Sequence, residues 1–168
     1  MSTPKSVFFI TTIFPPDVGG PATYVSAIAG ALFGNGWRVG ILTYAKNTDT
    51  YPFPVHSASL PAFFWSLIFD GRKYATWYAH GGLSATMPAL IIARFLGKRC
   101  GIKITGDYAW ETAYNRKWTS LSIDNFQNTT HSLFVRFLVF LRAWIACKAD
   151  FIVVPSRYLA DMVEGWGV

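Results

Sequence analysis

The sequence predicts an α/β fold built on a Rossmann-like, doubly wound parallel sheet. Residues 7–13 are apolar without alternation, which is typical of a strand buried on both faces. Apolar residues then recur at helical spacing over 25–32, and residues 38–43 read as a second strand. This strand, helix, strand order is the unit that joins two parallel strands through a right-handed crossover.

The remaining elements continue the alternation in chain order. Pro15 and Pro16 end the first strand, Pro21 suits the first turn of a helix, and residues 34–36 (GNG) end that helix. Residues 106–131 are polar and are expected to be an irregular connection. Ser156 is the predicted cap of the last helix. Further strands are predicted at 53–56, 76–80, 101–105 and 151–154, and further helices at 62–74, 84–96, 132–148 and 157–165.

Composition limits the class of protein. The 168 residues are 52% hydrophobic and 14% charged, which excludes a disordered chain and fits a single domain over residues 1–168. Fifteen Lys and Arg against nine Asp and Glu give a net charge of +6, which favours anionic partners. The basic residues are scattered and no nucleic-acid-binding motif is present, so nucleic acid is not an expected partner.

Cysteine and histidine positions argue against metal and disulfide sites. Cys100 and Cys147 form no CxxC pair, which predicts a reducing, cytoplasmic compartment. His56, His80 and His131 lie far apart in the sequence, and no metal is expected.

The most apolar region is not a clean membrane span. Residues 133–147 are interrupted by Arg136 and Arg142 and are shorter than the roughly 18–20 apolar residues that a bilayer requires. The predicted helix is either core, or a peripheral element whose cations lie at the inner face of an anionic membrane together with the aromatic residues 63–65. Burial in the core is the favoured alternative.

Ligands of parallel sheets bind where strands end, and two early segments fit that rule. Gly19 and Gly20 precede a helix whose N-terminus could bind an anion, although a tight turn explains them equally well. His80 ends an apolar strand and is followed by two glycines. A neutral imidazole there could bind a hydroxyl or a phosphate oxygen, or could be a structural histidine at a strand end.

A third segment carries the most chemistry. Asp107, Tyr108, Trp110 and Glu111 follow the strand that is predicted to end at Thr105. Carboxylates beside aromatic rings suit sugar hydroxyls and the apolar faces of sugar rings. The alternative is a capped turn whose aromatic side chains close the core.

These segments together resemble the N-terminal, acceptor-side domain of family 4 glycosyltransferases, retaining enzymes of the GT-B fold that use nucleotide sugars. The resemblance covers essentially the whole chain. It is carried by residues 14–24 (FPPDVGGPATY), 32–39 (LFGNGWRV), 105–111 (TGDYAWE) and 149–159 (ADFIVVPSRYL).

The resemblance implies roles for particular residues. Gly19 and Gly20 would approach the diphosphate of a UDP- or GDP-sugar donor. Many members carry a histidine where this sequence has Asp107, so Asp107 and His80 are both candidate catalytic residues. Acceptor contacts are expected from Asp17, Tyr108, Trp110 and Glu111.

The family's donor lobe carries a Glu-x7-Glu motif, whereas the glutamates here are at positions 111 and 164 alone. The resemblance therefore implies half of a two-lobed enzyme that has the nucleotide sugar as its substrate and needs neither a metal nor a cofactor. Its C-terminal lobe would be missing, and the isolated chain would fold but would not transfer sugar to a glycan, lipid-linked or small-molecule acceptor. The alternative from a different class is a non-catalytic, Rossmann-like nucleotide- or phosphate-binding module.

Overall fold

Parallel strands joined by helices form the first part of the chain, which confirms the predicted α/β, Rossmann-like fold. The computed structural model describes residues 5–46 and 50–168. These divide between two compact units, Met1–Lys103 and Ile104–Val168. The elements of the first unit are β1 (Ser6–Thr11), α1 (Gly20–Gly34), β2 (Arg38–Thr43), β3 (Val55–Ser57), α2 (Leu60–Phe69), β4 (Thr76–His80), α3 (Leu83–Phe95) and β5 (Arg99–Lys103).

The sheet of the first unit has the strand order β3-β2-β1-β4-β5, with every pair parallel. Its central strands are apolar on both faces, and their side chains are almost entirely removed from water: Phe8, Phe9, Ile10, Ile41, Trp77 and Ile102. This burial explains why residues 7–10 show no alternation in the sequence. The indole N–H of Trp77 is satisfied within the core, since it donates to the Gly71 carbonyl at 3.0 Å.

Several boundaries differ from the sequence-based expectations. The helix expected over 62–74 ends at Phe69, and a short 3-10 turn, Gly71–Lys73, follows it. The strand expected at 101–105 is Arg99–Lys103. The strand expected to extend to residue 13 ends at Thr11, whose hydroxyl donates to the Ile13 carbonyl at 2.9 Å.

The second unit contains α4 (Tyr108–Asn115), α5 (Ile123–Gln127), α6 (Leu133–Lys148), β6 (Phe151–Val153) and α7 (Arg157–Glu164). The expectation of an irregular connection over 106–131 is wrong, because it contains α4 and α5. Both helices begin at side-chain caps: the Ala109 N–H donates to the Asp107 carboxylate at 2.9 Å, and the Asn125 N–H donates to the Ser122 hydroxyl at 3.4 Å. The predicted Ser156 cap of α7 is confirmed.

The helices of the second unit bury a small apolar core. It is formed by Ala109, Ala113, Phe126, Val135 and Leu138. One face of α6 therefore lies in the core, as the favoured alternative predicted. None of the helices in residues 5–46 and 50–168 combines the length and apolarity that a membrane span needs.

Gly81 is the position where the backbone most needs glycine. It has φ +134°, and a Cβ there would lie 2.7 Å from Thr12 Oγ1 and 3.1 Å from the Thr12 nitrogen. At the neighbouring Gly82, φ is −65° and the nearest atom to a Cβ, also of Thr12, is 3.8 Å away. The turn after β4 thus depends on Gly81 rather than on Gly82.

We expect Gly81→Ser to reduce the free energy of unfolding by about 1–3 kcal/mol, because serine is strained at this φ and collides with Thr12. Gly82→Ser is the matched control and should stay within about 0.5 kcal/mol of wild type, since serine caps helices well. Urea unfolding followed by circular dichroism measures both. Equal stabilities for the two variants would contradict the assignment.

Candidate functional site

Three strands of the first unit end side by side and form one row of residues. Thr11 pairs with His80 across β1 and β4, and His80 pairs with Lys103 across β4 and β5. Paired residues in neighbouring strands project to the same face of a sheet. Thr11, His80 and Lys103, the carboxyl-edge row, therefore lie where parallel sheets bind their ligands.

His80 is the most unusual member of this row. Its side chain is 2% exposed, and neither ring nitrogen has a hydrogen-bond partner among the described residues. Burial, and secondly the charge of Lys103, lower the pKa of His80 to about 4. The imidazole is therefore neutral at pH 7, with one nitrogen able to donate a hydrogen bond and the other able to accept one.

Tyr24 of α1 joins the helix to this row. Its ring meets His80 edge-on at a centroid distance of 5.3 Å, and the Lys103 Nζ lies 2.9 Å from the Tyr24 ring centroid. The Tyr24 hydroxyl is 3.2 Å from that of Tyr78. Burial lowers the pKa of the Lys103 ammonium. The row and the tyrosines beside it thus combine a neutral imidazole, a cation held over an aromatic ring, and two phenol groups.

The glycine loop leads into the same helix. Gly19 is the N-cap of α1, and the first turn contains no acidic residue. A Cβ on Gly19 would lie 2.6 Å from the Ile13 side chain, whereas none of the described atoms lies within 4 Å of a Cβ on Gly20. Asp17 is exposed, and its N–H donates to the Phe14 carbonyl at 3.0 Å. Free N–H groups at a helix start are the kind of group that binds anions, and the role of this loop in binding a phosphate stays a prediction.

Asp107 lies in the second unit and is fully buried, with 0% exposure. Its carboxylate accepts hydrogen bonds from the N–H groups of Ala109 and Trp110, at 2.9 and 3.2 Å. It also accepts one from Gln127 Nε2 at 2.8 Å and forms an ion pair with Arg142. The sequence suggested a carboxylate that faces a cleft, whereas these contacts give Asp107 a structural role. Its catalytic role stays a prediction.

Gln127 and Arg142, the side-chain partners of Asp107, are not among the site residues that the sequence predicts. The Gln127 side-chain oxygen accepts hydrogen bonds from Arg142 Nη2 at 2.9 Å and from Trp166 Nε1 at 3.2 Å. Burial lowers the pKa of Arg142 to about 10, so the guanidinium is still charged at pH 7. The one signal for Arg142 in the sequence was its place in an otherwise apolar helix. Its burial contradicts the alternative in which the Arg142 charge lies at a membrane surface.

The other predicted acceptor residues lie on α4. Tyr108 and Glu111 are exposed, and Glu111 folds back so that a side chain at Gly106 would collide with it. The Trp110 indole N–H donates to the Leu121 carbonyl at 2.9 Å, so the polar edge of that ring is used within the second unit. The structure therefore places Asp17, Gly19, Gly20 and His80 in one unit, and Asp107, Tyr108, Trp110 and Glu111 in the other.

No cluster of three or more His, Cys, Asp or Glu side chains within residues 5–46 and 50–168 has the arrangement to hold a metal ion.

Comparisons with known proteins find similarity in structure only. No family model and no curated protein sequence matches the chain. A crystal structure from Listeria monocytogenes, assigned as a UDP-N-acetylglucosamine 2-epimerase, superposes with a TM-score of 0.60 at 14% identity and covers all of this chain. UDP-GlcNAc 2-epimerase from Methanocaldococcus jannaschii superposes with a TM-score of 0.53 at 11% identity over 99% of the chain.

This chain spans 43% of the length of each of those two proteins. At such low identity the similarity establishes the fold alone. The chain has the α/β fold of a GT-B-like domain.

We expect Asp107→Asn to reduce the free energy of unfolding by about 3–5 kcal/mol, because it leaves the buried Arg142 charge uncompensated. Asparagine still caps α4, so the substitution isolates the charge. Asp161→Asn is the matched control: Asp161 forms an exposed ion pair with Arg157 at 2.9 Å, worth about 0.5 kcal/mol. Urea unfolding measures both variants.

If Asp107→Asn alone does not fold, the double variant Asp107→Asn/Arg142→Met should recover a folded protein, since it removes both charges. A single variant whose free energy of unfolding stays within about 1 kcal/mol of wild type would contradict this role, since the loss of one partner of a buried pair costs about 3–5 kcal/mol. A double variant no more stable than the single one would also contradict it.

Proposed function

We propose that this chain is the acceptor-side half of a two-lobed, retaining glycosyltransferase that uses a UDP- or GDP-sugar. The observation that carries the proposal is His80, a buried neutral imidazole with two unpartnered nitrogens, beside Lys103 at the carboxyl edge of the sheet. Buried polar atoms in proteins are nearly always hydrogen-bonded, and a catalytic role is one of the recognised reasons for an exception.

The residues around His80 match the parts of a nucleotide sugar. The α1 N-terminus and the Lys103 ammonium are suited to phosphate oxygens, since both supply N–H donors and positive charge. The His80 ring can donate to a phosphate or sugar oxygen and accept from a sugar hydroxyl. In this proposal Gly19 and Gly20 let the donor diphosphate approach the backbone, and His80 contacts the reacting sugar.

The substrate class has support from outside the site. The two solved structures with similar folds carry the name of an enzyme of UDP-N-acetylglucosamine. The motifs at residues 14–24 and 105–111 favour glycosyl transfer, because they resemble those of family 4 glycosyltransferases. Both arguments lead to a nucleotide sugar, and the second also suggests the reaction.

The proposal gives the acceptor to the exposed groups. Tyr108 and Glu111 offer hydrogen-bonding groups and an aromatic face at the surface of the second unit, and Trp110 lies on the same helix. Asp17, which is exposed in the first unit, is a separate candidate for an acceptor contact. Asp107 acts in this proposal as a positioning residue, since its carboxylate caps α4, the helix that carries Tyr108, Trp110 and Glu111. The second lobe would supply the Glu-x7-Glu motif and most of the donor's binding energy.

A second candidate reaction is 2-epimerisation of a UDP-sugar, favoured by the names of the two similar structures. It shares the nucleotide-sugar site but needs no acceptor, so the product separates the two reactions. A non-catalytic phosphate-binding module is the third possibility, and it predicts binding without product.

The test is to produce this chain together with the polypeptide encoded directly downstream of it, and to follow labelled UDP-GlcNAc and GDP-mannose. We expect sugar transferred to an acceptor with retention, and no product from the chain alone. His80→Gln should lower kcat/KM by about 100-fold or more, the usual cost of disturbing one preorganised hydrogen bond to the reacting group. His56→Gln, at a partly exposed histidine 3.8 Å from Asp70, should stay within about threefold.

The outcomes distinguish the candidates. An epimerised UDP-sugar in place of a transferred one would replace the proposed reaction while retaining the site. Equal activity of His80→Gln and His56→Gln would remove His80 from it. Binding of both nucleotide sugars without any product would favour the phosphate-binding module.

A further inference from the structure

Helix α2 of the first unit is apolar on both of its sides. Phe63 and Leu67 face the core and are fully buried, so Phe63 does not belong with the interfacial residues that the sequence suggested. The opposite side presents further large apolar side chains to solvent, and α3, which packs against α2, ends in Phe95 with 87% exposure. We call these exposed residues the α2–α3 aromatic face: Leu60, Phe64, Trp65, Phe69 and Phe95.

The α2–α3 aromatic face is held in place by contacts within the first unit. The rings of Trp65 and Phe69 stack at 5.6 Å with an interplanar angle of 19°, and the Arg72 guanidinium lies 5.4 Å from the Phe69 ring. Arg72 Nε donates to the Ile68 carbonyl at 3.1 Å, and Lys98 Nζ donates to the Arg72 carbonyl at 2.8 Å. The last contact joins the segment after α2 to the segment after α3.

The segment of the chain that carries this face is strongly basic. The segment from residue 60 to residue 103 contains six Lys and Arg residues and one acidic residue, Asp70, which pairs with Lys73 at 2.6 Å. Residues 1–103 hold nine Lys and Arg against three Asp, whereas residues 104–168 hold six of each sign. The whole net charge of +6 therefore belongs to the unit that carries the α2–α3 aromatic face.

We propose that the α2–α3 aromatic face docks on an anionic membrane surface. Trp and Phe side chains are stable at the boundary between headgroups and acyl chains, where their rings leave water. Arg72, Arg94 and Lys98 then reach the lipid phosphates, because long basic side chains extend to the interface. This inference does not depend on the reaction proposed above.

Charge is the reason for choosing this face and this occupant. α6 also exposes aromatic side chains, among them Phe137 and Phe140, but it lies in the unit whose charges cancel. A second copy of the chain would bring an equally basic surface against this one, and like charges would repel. An anionic bilayer satisfies both the aromatic residues and the cations.

The test is sedimentation of the full chain with vesicles of phosphatidylcholine, with and without phosphatidylglycerol, at low and high salt. We expect binding to the anionic vesicles that falls as salt rises. The double variant Trp65→Ser/Phe69→Ser should bind at least tenfold more weakly, and Arg94→Gln about fivefold more weakly, the usual effect of one cation near an anionic surface. Circular dichroism checks that each variant folds.

Phe137→Ser/Phe140→Ser is the matched control, with two exposed aromatic residues removed from α6, and should bind within about twofold of wild type. Equal binding to neutral and anionic vesicles would overturn the proposal, as would a loss of binding confined to the α6 variant. A Trp65→Ser/Phe69→Ser variant that changes the mass in solution without changing vesicle binding would also overturn it, and would assign the face to a second copy.

Discussion

The common register of three parallel strands is the constraint on which the candidate site depends. β1, β4 and β5 end in step, so Thr11, His80 and Lys103 share one row. A slip of one residue in any strand would turn that strand's side chains to the opposite face. The large apolar side chains on both faces of these strands, Phe8, Phe9 and Trp77 among them, resist such a slip because it would repack the whole core.

Electrostatics organise the two units differently. In the first unit, the charge of Lys103 lies close to an imidazole that burial already keeps neutral. In the second unit, one buried carboxylate, Asp107, is compensated by Arg142 and shares Gln127 with it. Loss of one partner from such a pair leaves a charge in a low-dielectric interior. The second unit thus contains a buried ion pair that supports folding, whereas in the first unit the two ring nitrogens of His80 have no hydrogen-bond partner among the described residues.

The fold was predictable from the sequence because its signals are local. Unalternating apolar strands, Pro21 at the start of α1 and the Ser156 cap all act within a few residues. Part of the candidate site was predictable: the place of His80 at the end of a strand, where parallel sheets bind their ligands. Contacts distant in the sequence were not predictable: Tyr24 meets Lys103 across 79 positions and Asp107 meets Arg142 across 35. The cap that Asp107 gives α4 is local and fits the capped-turn alternative, whereas its ion pair with Arg142 was beyond the reach of local signals.

We propose above that His80 is a neutral imidazole that binds a ligand. Nitrogen NMR of the histidine side chains across pH is the direct test. We expect His80 to stay neutral in the free protein until the pH approaches about 4. Added UDP-GlcNAc should shift the His80 ring nitrogens and raise the pKa of His80, because a phosphate oxygen stabilises the protonated ring. Added UDP-GlcNAc should not shift the ring nitrogen resonances of His56. A His80 that titrates near its ordinary pKa of about 6.5, with ring nitrogens unchanged by UDP-GlcNAc, would contradict the account.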